Sequence, residues 1–95
     1  MFIQTEDTPN PSTLKFLPGK TVTGEGQPPV EICRGEDISN APLAEMLFMI
    51  PDITRVFFGL DYISVSKSDS ADWKHLKPAV LGAIMDFYVA GGQPL

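Results

Sequence analysis

Cys33 and His75 are the residues of this sequence best suited to nucleophilic, acid–base or metal-ligand chemistry, and each is the single example of its type. A reactive thiol needs a cation or a helix N-terminus to lower its pKa. Arg34 is adjacent, but Glu31, Glu36 and Asp37 oppose it. The simpler expectation for Cys33 is a small, partly buried hydrophobe. His75 lies between Lys74 and Lys77 with no Ser or Cys near it in sequence. A catalytic imidazole wants a positioned partner, so His75 receives no role. Zinc sites and iron–sulfur clusters want about four ligands, mostly thiolates. Any metal bound here would borrow ligands from another chain.

The remaining candidates for chemistry are weaker. Glu6-Asp7 and Glu36-Asp37 are neighbours in sequence rather than partners across a cleft, and loop solubility accounts for them. The segment Gly19 to Gly26 has neither of the glycine spacings that cradle phosphate. No nucleophile–base pair emerges, and the chain reads as a protein that is not an enzyme.

Composition narrows the partners. Seven Lys and Arg against twelve Asp and Glu give a net charge of −5, the wrong sign for displacing counterions from nucleic acid. The longest apolar stretches, such as Met46 to Pro51, fall far short of the roughly 20 residues that span a bilayer. A single cysteine rules out an internal disulfide. The opening residues, Met1 to Asp7, carry no signal or transit character. A bacterial cytoplasmic protein is the first expectation, and a mitochondrial matrix protein whose presequence was removed is the alternative.

What remains is surface chemistry, and it depends on the elements that position it. The 95 residues suit one domain. Phe2 to Thr5 and the alternating Thr13 to Leu17 read as strands joined through the turn residues Thr8-Pro9-Asn10-Pro11-Ser12. Residues 18 to 40 look least ordered, with a short edge strand at 30–33. Leu43, Met46, Leu47 and Ile50 form a helical stripe that Ser39 or Asn40 caps and Pro51 ends. Residues 53–58 and 61–66 flank Gly59-Leu60, a type II′ hairpin pattern pairing Val56 with Ile63 and Thr54 with Val65. The opposite face then carries Arg55 against Ser64 and Phe57 against Tyr62. A last helix, opened by Ser70 or Asp72, buries Trp73, Leu76, Val80, Ile84 and Phe87. Pro78 should kink it or move its start to about residue 75. Gly91-Gly92 ends it.

The element order β-β-α-β-β-α predicts an α+β two-layer sandwich. Its mostly antiparallel sheet is built from two hairpins, with two helices packed on one face. The other face presents an aromatic pair, Phe57 and Tyr62, beside Arg55. Such a patch marks a contact surface or merely braces the hairpin. Together with the exposed turn Pro9, Asn10 and Pro11, these residues form the candidate partner-binding set. Catalytic, cofactor and metal residues are expected to be absent.

Four segments in register carry a family resemblance. They are Thr8-Pro9-Asn10-Pro11-Ser12-Thr13-Leu14-Lys15-Phe16-Leu17-Pro18-Gly19, Ala41-Pro42-Leu43-Ala44 with Leu47-Phe48, Val56-Phe57-Phe58-Gly59 with Asp61-Tyr62-Ile63, and Trp73 with Leu76-Lys77-Pro78. They resemble the N-terminal domain of Nfu/NifU-like iron–sulfur cluster scaffold and carrier proteins. The 20–40 region follows that pattern loosely, and Pro51-Asp52-Ile53 stands where Gly-Val is more usual.

The resemblance implies an accessory, partner-docking domain that serves iron–sulfur cluster assembly and delivery and holds no cluster itself. Residues 1–92 would form that domain, and 93–95 would begin a linker to an absent C-terminal domain. There a Cys-x-x-Cys pair, shared between two chains, would hold a [4Fe–4S] cluster. Implied partners are that C-terminal scaffold domain, recipient apoproteins and assembly chaperones, with the isolated domain monomeric. The alternative is a free-standing interaction module, bridging a metal or cluster through Cys33 in a homodimer.

Overall fold

A computed structural model describes residues 1–94. Leu95, the last residue of the expected linker, lies outside the described residues. The strands are β1 (Gln4–Asp7), β2 (Thr13–Leu17), β3 (Val30–Cys33), β4 (Ile53–Phe58) and β5 (Ile63–Lys67), with helices α1 (Pro42–Phe48) and α2 (Trp73–Val89). They form one antiparallel sheet in the order β1-β2-β5-β4-β3. The α+β two-layer expectation holds, with β3 as a real edge strand. The first strand starts two residues later than expected and leaves Phe2 78% exposed.

Alternation decides which side of the sheet is covered. Leu14, Phe16, Ile32, Val56, Phe58, Ile63 and Val65 point inward and join Leu43, Ala44, Leu47, Leu76, Val80, Ile84 and Phe87 in one core. Ile53 and Val56 are both fully buried, although residues three apart in a regular strand face opposite ways. A bulge resolves this: the register jumps between Ile53 and Arg55, and the extra residue, Thr54, donates its hydroxyl to the Ser66 carbonyl. The bulge turns Ile53 into the core while Arg55 and Phe57 keep facing out.

The β4–β5 connection differs from the expected two-residue turn. Phe58 pairs with Ile63, so residues 59–62 form a four-residue link and Val56 meets Val65 rather than Ile63. Phe57 faces Ser64, Arg55 faces Ser66, and Thr54 is the bulged residue. A register change of two keeps the side chains from Arg55 to Phe58 on their expected faces; only Ile53 and Thr54, at the bulge, depart from them. The link is closed by Gly59 N–H donating to the Tyr62 carbonyl at 2.9 Å. The carbonyls of Gly59 and Leu60 accept the Thr23 and Val22 N–H groups, which anchors the 18–29 segment; Val22 and Thr23 are buried. The stretch that looked least ordered is thus tied to the sheet. Gly59 is needed for space, since a Cβ there would lie 2.2 Å from the Tyr62 ring.

The helices are held by local chemistry. Neither Ser39 nor Asn40 caps α1: the N-cap is Ala41, without a side-chain bond, and the Asp37 carboxylate accepts the Ser39 backbone N–H in the preceding loop. The far end of this seven-residue helix is closed by Arg34, which donates to the carbonyls of Phe48, Ile50 and Ile53. This satisfies carbonyls that a helix C-terminus leaves open. Asp72 caps α2 through Lys74 N–H. The helix starts at Trp73 rather than residue 75 and runs through Pro78, because Leu76 and Val80 on either side are packed into the core. Trp73 is half-buried rather than fully in the core. It packs on Phe16 at 6.3 Å between centroids and donates its indole N–H to the Pro11 carbonyl at 3.2 Å.

Replacing Gly59 by Ala forces the Tyr62 ring off its seat. Chemical denaturation should show a loss of about 1–3 kcal/mol, the usual cost of overpacking, whereas Gly82→Ala, where nothing lies within 4 Å, should not destabilise.

Candidate functional site

The uncovered face of the sheet reads directly from the register. One row runs Glu31–Phe57–Ser64–Lys15–Glu6 across β3, β4, β5, β2 and β1. The next runs Cys33–Arg55–Ser66–Thr13. A shallow depression of about 270 Å³ in this face is lined by Thr13, Glu31, Arg55, Phe57, Ser64 and Ser66. Tyr62 stacks on Phe57, with centroids 6.0 Å apart and planes at 19°. The Lys15 ammonium sits 4.2 Å above the Tyr62 ring. Such cation–π contacts contribute about 0.5–1 kcal/mol at exposed sites.

Three of the six expected contact residues, Arg55, Phe57 and Tyr62, are therefore gathered on one surface. Pro9, Asn10 and Pro11 are not part of that cluster. They line a second depression of about 340 Å³ with Asp7, Thr8, Thr13, Leu14 and Trp73, and Thr13 borders both. The turn itself is tightly held. Thr8 hydroxyl donates to the carbonyls of Asn10 and Thr13, Asn10 Oδ1 accepts Ser12 N–H, and Ser12 Oγ meets Asp69 at 2.6 Å. Sequence reasoning placed Ser64 on this face and missed Lys15, Thr13 and Ser66 as members of the surface. Their signal was the same alternation that placed Phe57 and Arg55 outward.

Cys33 is exposed rather than partly buried, because its position in β3 puts it on the uncovered face opposite Arg55. The Glu36 carboxylate accepts the Cys33 backbone N–H at 2.6 Å. The thiol is pushed above its ordinary value, first by desolvation, then by hydrogen bonding to Glu36 and by the charges of Glu36 and Glu31; Arg55 opposes this. The thiolate, the form that attacks or ligates, is thus disfavoured. His75 is exposed. Among the described residues no group of three or more His, Cys, Asp or Glu side chains is placed to hold a metal ion. Nor is any helix among them long and apolar enough to cross a membrane.

The outer edge of the sheet at β3 is also poorly suited to accepting another strand. Pro28 and Pro29 precede it and have no N–H to offer, and the Cys33 N–H is already taken by Glu36. This edge is thus a weak template for adding another strand.

Comparison with known proteins agrees with the architecture. The family model described as "Scaffold protein Nfu/NifU N terminal" matches residues 3–91. The mitochondrial NFU1 iron-sulfur cluster scaffold homolog of Drosophila sechellia is 47% identical over 91 residues, covering 96% of this chain and 32% of that protein. NifU-like protein 4, mitochondrial, of Arabidopsis thaliana is 48% identical over 95 residues, covering 100% of this chain and 32% of that protein. The chain thus spans about a third of the length of these curated relatives. The solution structure of a NifU-like protein from Saccharomyces cerevisiae shares the fold, with a TM-score of 0.88 at 24% identity over 99% of this chain and 83% of that one. A Staphylococcus aureus protein solved by X-ray diffraction gives a TM-score of 0.73 at 25% identity, covering 88% of this chain and 99% of that one.

The surroundings of Cys33 make a definite reactivity prediction. A raised thiol pKa means less thiolate at neutral pH, so alkylation by iodoacetamide should be slower than for a free thiol and should rise only at more alkaline pH. Glu36→Gln removes the charge while leaving an oxygen for the backbone N–H. Its pH–rate profile should shift to lower pH, and an unchanged profile would show that Glu36 does not control the thiol.

Proposed function

The chain belongs to the Nfu/NifU scaffold N-terminal family, and from that premise we propose that it is the partner-docking unit of a longer iron–sulfur cluster scaffold protein. Residues 1–92 would form this unit, and the cluster would be cargo held by a Cys-x-x-Cys pair outside this chain. That placement is supported by the 32% share of the curated relatives that the chain spans. The residues present do not fit a cluster. The chain offers one thiol, on an exposed strand position, with its thiolate disfavoured, where such clusters are held by about four thiolates. The disfavoured thiolate likewise argues against covalent catalysis at Cys33.

The observation that carries the docking reading is the stacked Phe57–Tyr62 pair beside Arg55, on a sheet face that no helix covers. Aromatic and Arg side chains are the residues most enriched where binding energy concentrates. The core does not require them there, since its inward positions are filled by other residues. Recipient apoproteins of iron–sulfur assembly, assembly chaperones and the protein's own C-terminal domain are the partner classes this reading admits. The names of the matched relatives place those proteins in mitochondria, and this favours the mitochondrial alternative over a bacterial cytoplasm.

Phe57→Ser with Tyr62→Ser should weaken binding of a recipient apoprotein to the full-length scaffold at least tenfold, within the range of aromatic anchor residues. Cluster content and the domain's circular dichroism should stay unchanged. Titration by isothermal calorimetry would measure it, and unaltered affinity would remove this face as the docking surface.

A further inference from the structure

We infer that the open face selects an extended, acidic segment of its partner, one that alternates carboxylates with an apolar or aromatic side chain. This inference rests on the reading of that face as the docking surface and adds what the surface recognises. The evidence is the order of side chains across the sheet. β5 contributes only the small residues Ser64 and Ser66, while its neighbours contribute the larger Arg55 and Phe57 on one side and Lys15 on the other. The result is a trough running along β5. Its floor is made of hydroxyls, with Thr13 Oγ1 and Ser66 Oγ 2.8 Å apart.

The width of that trough favours one kind of occupant. Its walls stand two strand spacings apart, about 10 Å between backbones, and the wall side chains narrow this further. A helix with its side chains measures about 10–12 Å across, so an extended chain fits and a helix does not.

Charge placement determines the sign. This protein carries a net charge of −5, yet the two charged residues on the strands flanking Ser64 and Ser66 are both cations, Lys15 and Arg55; Glu31, which also lines the depression, is paired with Arg55. The carboxylate neighbours of these two cations, Glu6 and Glu31, lie one strand further out, at 3.9 and 3.4 Å from them. Exposed ion pairs of that kind are weak, so an incoming carboxylate can share or replace them. Arg offers a planar fork suited to carboxylate. The Phe57–Tyr62 stack supplies the apolar seat between the two cations. Like-charged segments would meet Lys15 and Arg55 unfavourably, which is how a surface of this kind excludes basic chains.

Fluorescence anisotropy with three labelled eight-residue peptides tests the inference on the 95-residue chain. The first alternates Glu with Phe or Leu, the second replaces each Glu by Gln, and the third replaces each Glu by Lys. The acidic peptide should bind about tenfold or more tighter than the Gln peptide and tighter still than the Lys peptide, an electrostatic preference that salt reduces. Lys15→Glu with Arg55→Glu should reverse the order. Lys15→Gln and Arg55→Gln, taken singly, should each reduce the preference, in case the double reversal does not fold. Equal binding of the three peptides, or an acidic preference that survives these substitutions in folded protein, overturns the inference. The two readings fail differently. If Phe57→Ser weakens all peptides alike and no acidic preference exists, docking stands and acid selection falls. If neither Phe57→Ser nor the charge changes affect binding, both fall.

Discussion

A five-stranded sheet has two faces, and this chain supplies helices for one of them. Every other feature answers that constraint. The inward face takes the aliphatic residues of β2, β4 and β5 and packs them under α1 and α2, where burial of apolar area drives folding. The outward face must then stay soluble without a cover. It does so with hydroxyls at its centre and with Lys15, Arg55, Glu6 and Glu31 around them. The half-buried aromatics Phe57 and Tyr62 on this face stand out because the solubility requirement alone would not select them.

Maintaining this division between faces requires two departures from regular geometry. The Thr54 bulge lets Ile53 turn inward without reversing Arg55 and Phe57. The absent Cβ of Gly59 lets the Tyr62 ring lie against the backbone and reach Phe57. Together they determine the composition of the open face as much as the side chains themselves do. A regular β4 would send Ile53 to solvent, and a bulkier residue 59 would displace one half of the aromatic stack.

Alternation was enough to assign the strands and their faces, and the spacing of Leu76, Val80, Ile84 and Phe87 was enough for α2. Register was harder to read. Gly59-Leu60 has the local chemistry of a two-residue turn, yet the link runs to four residues, and its carbonyls accept from the distant Val22 and Thr23. The α1 termini were hidden too, since Arg34 closes one end from a position eight residues before the helix begins. The open face was legible as an aromatic pair beside Arg55. Lys15 and Thr13 joined it only once the pairing of β2 with β5 was known. Alternation shows which way such residues face, but which strands lie side by side leaves no trace in a local window of sequence.

The strand order has a consequence for how the molecule comes into being. β2 and β5 are neighbours at the centre of the sheet, yet Thr13 and Ser66 are 53 residues apart in the chain. During synthesis the first hairpin emerges long before the strand that completes it. Until then, Leu14 and Phe16 have neither their strand partners Val65 and Ile63 nor the cover of α2. Closing so long a loop is slow relative to forming local hairpins and helices. A nascent chain carrying this domain therefore passes through an interval with a hydrophobic strand uncovered, the condition under which chaperone capture competes with aggregation.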